Sequence, residues 1–71
     1  MLKFTAHARK RMEQRGITES DVGRVVNLRS QVRPGDNGAV IYSGYTEAGR
    51  FINIACLLVD GDTVIKSAWF E

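Results

Sequence analysis

His7, Arg11 and Arg15 recur every four residues in a segment free of glycine and proline. At about 100° per residue a helix places all three on one face. An imidazole and two guanidiniums in a row suit phosphodiester chemistry. Metal-free RNA cleavage makes the 2′-OH attack the adjacent phosphate. It needs a base for the 2′-OH, an acid for the leaving 5′-oxygen and positive charge for the phosphorane. His7 is the only histidine, and imidazole is the side chain whose unperturbed pKa lies near neutrality. Arg11 and Arg15 can clamp a phosphate bidentately, which lysine cannot do. Aromatic faces commonly hold single-stranded bases. Tyr42 and Tyr45 fall on opposite faces of one strand, so at most one belongs to such a site. Tyr42 and Trp69 are the stacking candidates. Each residue also has a commoner use: a helical histidine as a cap or surface group, a tryptophan as core packing. Glu13 lies on the far side of the helix from His7 and is left out of the site.

The elements that must hold this row are legible along the chain. Thr5 to Arg15 contains strong helix formers. Gly16 follows as a stop, and Arg15 suits the negative end of the helix dipole. Ala8 and Met12 form the buried stripe beside the His7 row, and Arg9 and Glu13 pair on the opposite side. Thr18 is a good N-cap for a second helix with acids in its first turn. Val22, Val25 and Val26 give that helix one apolar stripe, and it ends near Asn27 to Ser30. Pro34-Gly35-Asp36-Asn37-Gly38 is the strongest loop signal. Strands follow at Ala39 to Thr46, Phe51 to Val59 and Thr63 to Phe70, joined by turns at Glu47-Ala48-Gly49 and Asp60-Gly61-Asp62. Gln31-Val32-Arg33 and Leu2-Lys3-Phe4 are candidates for short added strands. The expected fold is α+β: two N-terminal helices packed on a three- to four-stranded antiparallel β-meander, in one domain over residues 1–71.

A two-residue loop in the last hairpin divides its side chains between two faces. One carries Ile52, Ile54, Cys56, Leu58, Ile65, Ser67 and Trp69 and is expected to meet the helices. The other carries Phe51, Asn53, Ala55, Leu57, Val64, Lys66, Ala68 and Phe70. A sheet face open to water normally alternates with polar residues. This second face is too apolar for that and is expected to be covered by a partner subunit, by another part of the chain or by a ligand. A symmetric homodimer is the simplest cover.

Composition removes other classes of function. With 71 residues and one cysteine, Cys56, the chain has no internal disulfide, and Cys56 reads as buried and inert. His7 and Cys56 are the only soft ligands, too few for a closed zinc site. No metal or cofactor is expected. There is no phosphate loop of the G-x-x-x-x-G-K type. The N-terminus lacks the apolar core of a signal peptide, and the longest apolar run, Ile54 to Val59, is too short to cross a bilayer. A cytoplasmic protein is expected. The net charge of +2 conceals an asymmetry. Residues 1–33 hold eight Lys/Arg and three acids, a net +5, while residues 34–71 hold two and five, a net −3. A basic helical half points to a polyanion or an acidic partner.

The segment His7-Ala8-x-x-Arg11-Met12-x-x-Arg15-Gly16-Ile17 resembles a widespread bacterial family of short proteins, a domain-of-unknown-function family with an H-A-x-x-R-M-x-x-R-G-I helix. The element order of nearly the whole chain resembles it too. That family looks like a distant relative of the RelE-type ribonuclease toxins. The resemblance implies a RelE- or barnase-like architecture, RNA cleavage as the activity and pairing with an antitoxin protein. The ending Lys66-Ser67-Ala68-Trp69-Phe70 departs from the more usual Val/Thr/Tyr pattern of the last strand. Two functions follow as expectations. One is a small metal-independent ribonuclease of toxin–antitoxin type with His7, Arg11 and Arg15 in its site. The other is a non-catalytic binding or regulatory module for an acidic protein partner or nucleic acid. The enzyme requires the three side chains to open onto one concave surface beside the sheet. The module lets them lie on a convex face or in internal hydrogen bonds.

Overall fold

Two threonine caps set the starts of the helices in the computed structural model, which describes residues 1–71. Thr5 accepts a hydrogen bond from the Ala8 amide at 3.0 Å and opens α1, Ala6–Arg15. Gly16 closes α1 at φ 71°, a left-handed conformation that costs glycine little. Thr18 opens α2, Glu19–Leu28, with a reciprocal capping box: Thr18 bonds the Asp21 amide, and Asp21 bonds the Thr18 amide. Each device satisfies helix-end donors or acceptors that would otherwise lack partners.

Five strands form one sheet: β1 Leu2–Phe4, β2 Gln31–Pro34, β3 Val40–Tyr45, β4 Phe51–Val59 and β5 Asp62–Phe70. Their order is β1-β5-β4-β3-β2. The α+β architecture is as expected, with one difference of detail. Both short candidate strands join, giving five strands where three to four were expected, and β1 runs parallel to β5, which makes the sheet mixed. The Lys3 ammonium bonds the Asp62 carboxylate at 3.0 Å and fastens β1 to the start of β5. That bond holds the Asp62 carboxyl below its usual pKa, against the opposing push of desolvation.

The last hairpin has the two-residue loop the sequence suggests: Val59 pairs with Asp62 around Asp60 and Gly61, at φ 49° and 84°. Two adjacent positive φ values match the right-handed twist of the strands. The face assignment beyond it needs correction. A β-bulge interrupts the ladder: Ala55 pairs with Ser67, but Cys56 pairs with Ile65, leaving Lys66 as the extra residue. Every β5 side chain after it therefore changes face. Ala68 and Phe70, expected on the second face, turn toward the helices; Ala68 is fully buried and Phe70 packs on the core. Ser67 and Trp69, expected in the core, turn away. Deleting Lys66 should restore regular pairing without moving any later side chain. That variant is expected to remain folded, with a cooperative melt and wild-type far-UV dichroism; an unfolded chain would contradict the bulge assignment.

The core lies between the two helices and one sheet face. Ala8 and Met12 of α1, Ile17, and Val22 and Val25 of α2 meet Tyr42, Ile52, Ile54, Cys56, Ile65 and Ala68. α1 packs chiefly on β5, and α2 on β3 and β4. The opposite sheet face carries no helix. No helix of the structure is long and apolar enough to cross a membrane.

Candidate nucleic-acid interface

Strand β1 ends at Phe4, opposite Ile65, so residues 66–70 of β5 have no strand on that side. α1 takes over there. The Thr5 amide donates to the Ile65 carbonyl at 3.1 Å, and Arg15 Nη1 donates to the Ala68 carbonyl at 2.8 Å. Arg15 thus satisfies an acceptor on the unpaired edge of β5 and locks α1 to the sheet. Arg11 is half-buried and donates from Nη1 to Gln14 Oε1 at 3.1 Å. His7 is exposed and makes no side-chain hydrogen bond or ion pair. The structure brings the three onto one flank of α1, as helical spacing requires. The molecule has two concavities, and His7, Arg11 and Arg15 line neither.

Few of the surrounding positive charges are neutralised. Among the eight cations of residues 1–33, Lys3 pairs with Asp62 and Arg9 pairs with Glu19. The other six, Lys10, Arg11, Arg15, Arg24, Arg29 and Arg33, form no ion pair. Of these, five are exposed. Lys10 and Arg15 on α1 and Arg24 and Arg29 at α2 can attract an anion to the helical side, whereas Arg33 on β2 turns to the helix-free face.

The two stacking candidates separate. Tyr42 faces the helices and is buried, with the Arg29 guanidinium 4.3 Å from its ring centre. Its faces are used inside the fold, so it is not available to a base. Trp69 is half-buried on the helix-free sheet face and borders a concavity there. Cys56 is buried, its thiol donating weakly to the Val40 carbonyl at 3.5 Å, and burial pushes its pKa up. That environment suits an inert thiol.

Sequence reasoning missed a polar network on the helix-free face. Arg33 donates to Ser43 Oγ at 3.1 Å and to Asn53 Oδ1 at 3.4 Å. Ser43 bonds the same Asn53 oxygen, and Asn53 Nδ2 donates to Glu71 Oε1 at 3.0 Å. Ser43 and Asn53 are essentially unexposed although no helix covers them. The one signal for it in the sequence is Asn53 itself, a lone amide inside an apolar run. Its partners come from β2, β3 and the C-terminal residue, which only pairing brings together.

No curated protein and no solved structure matches this chain. A family model described as "Domain of unknown function (DUF4258)" matches residues 4–70. That span runs from the end of β1 through both helices to the last residue of β5, so the chain belongs to the DUF4258 family.

Proposed function

We propose that the protein is a small RNA-binding domain of the toxin–antitoxin kind, which meets the phosphates of single-stranded RNA along α1. The observation that carries this reading is the unpaired charge of the helical half: six of its eight cations form no ion pair. Like charges held together without counter-charges repel one another. A polyanion relieves that repulsion and gains from counterion release. His7, Arg11 and Arg15 line neither concavity, which suits binding along a backbone better than a closed catalytic cleft. The toxin–antitoxin context rests on the H-A-x-x-R-M-x-x-R-G-I resemblance. Within it, an antitoxin protein is a second proposed partner.

Metal-independent RNA cleavage is the second reading, and one observation favours it. His7 is an exposed imidazole with no internal partner, one helical turn from the Arg11 guanidinium. In this scheme His7 moves the proton at the 2′-OH or the leaving 5′-oxygen, and Arg11 stabilises the phosphorane. Arg15 contributes less than its position in the row suggests, because its Nη1 already serves the Ala68 carbonyl.

The two arginines give a direct test. Arg11→Ala should weaken RNA binding and flatten the plot of log K against log salt by about 0.7, the loss of one phosphate contact on a single strand. Its melting temperature should stay near wild type. Arg15→Ala should lower the melting temperature, because the Ala68 carbonyl loses its partner. An unchanged slope together with a lower melting temperature in Arg11→Ala would make Arg11 structural and count against the RNA reading.

A further inference from the structure

The bulge at Lys66 has two effects on one face. It leaves Lys66 as an unpaired extra residue, and it turns Trp69 out of the core. Both then line the same concavity of about 310 Å³, floored by Ile41, Ala55 and Leu57 and bordered by Asp36 and Asn37. Bulges commonly re-aim side chains at functional sites. Lys66 is exposed and forms no ion pair. Trp69 lies directly across the ladder from Asn53, so it also adjoins the Arg33–Ser43–Asn53–Glu71 network. One aromatic face therefore sits beside one free cation, Lys66, on an apolar floor of ligand-pocket size.

We infer that this concavity is a nucleotide-binding site for single-stranded RNA, one that selects guanine. The inference rests on the RNA-binding reading above and adds a second contact surface, on the far side of β5 from α1. A base stacks on Trp69, and Lys66 holds the phosphate beside it. Lys66 beside the ring favours a phosphate-bearing occupant over an apolar one. Asp36 supplies the selectivity. Its carboxylate makes no side-chain hydrogen bond or ion pair and can only accept hydrogen bonds. It repels phosphate at its part of the rim and matches the two adjacent N–H donors on guanine's Watson–Crick edge. Uracil offers only one.

Trp69 is the only tryptophan, so the full chain carries its own reporter. The probes are a short 3′-fluorescein oligouridylate and the same oligomer with one central guanosine. Anisotropy reads binding anywhere on the protein; tryptophan emission reads the concavity. Anisotropy should rise for both probes, with Trp69 quenched, and the guanosine oligomer should bind roughly fivefold or more tighter. Asp36→Asn should erase that preference, and Lys66→Ala should weaken both probes and flatten the salt slope by about 0.7. Trp69→Phe, which keeps a ring, should bind more tightly than Trp69→Ala. Rising anisotropy with unchanged Trp69 emission would overturn this site and leave RNA binding by α1 standing. No anisotropy change with either probe would overturn both. An undiminished guanosine preference in Asp36→Asn would overturn the assigned base edge. Doubled mass on sedimentation, with Trp69 emission shifting as protein alone is concentrated, would make a second copy the occupant and overturn the site.

Discussion

Replacing Ile54 with alanine is expected to lower stability by about 2–5 kcal/mol, the range for removing a large aliphatic side chain from a core. Ile54 is fully buried in the central strand β4, between Tyr42 of β3 and Ala68 of β5. Its cross-strand neighbours, an arginine-stacked tyrosine and an alanine, cannot fill the space. A chain of 71 residues has a total stability of about 4–10 kcal/mol at ordinary values per residue. The substitution therefore removes a large share of it. Leu57→Ala, on the helix-free face and half-buried, should cost clearly less. Urea denaturation of the two variants checks the pair. Equal losses would mean that the helix-free face carries as much packing as the core, and would call for a covering partner.

The second large effect concerns His7 and separates the two functional readings. If RNA is cleaved, His7→Ala should slow cleavage by about a hundredfold or more, equivalent to about 2.7 kcal/mol of barrier. Cleavage should also proceed in chelator. The fold should hardly notice the change, since His7 is exposed and makes no side-chain hydrogen bond. A melting curve therefore controls for unfolding. Full activity in His7→Ala would remove His7 from the mechanism. Loss of activity in chelator would end the metal-free scheme. Binding without cleavage in the wild type would leave the module reading alone.

The elements were legible where local chemistry decides them. Thr18, Gly16 and Asp60-Gly61 each carry a conformational preference strong enough to place an end or a turn. The row of α1 was legible because helical spacing alone sets it. What the row does was not, because the Arg15–Ala68 bond joins residues 53 positions apart. The short strands β1 and β2 have no amphipathic period of their own and exist because longer neighbours pair with them. The bulge has no local signature. No residue type marks Lys66 as an insertion, and a single extra residue moved Trp69, Ala68 and Phe70 to the opposite faces. The polar network of the helix-free face is invisible in the sequence until pairing joins Arg33, Ser43, Asn53 and Glu71. Residue type alone makes Tyr42 a stacking candidate, and the arginine that occupies its ring comes from the end of α2.

The central claim is that the unpaired cations of the helical half meet the phosphates of single-stranded RNA. Its most direct measurement is the affinity of the wild-type chain for a short labelled oligoribonucleotide over a range of salt concentrations. Each phosphate contact contributes about −0.7 to the slope of log K against log salt. Three or more contacts along α1 and the sheet face predict a slope of about −2 or steeper. Binding that is absent at low salt, or present with a slope near zero, would contradict the account.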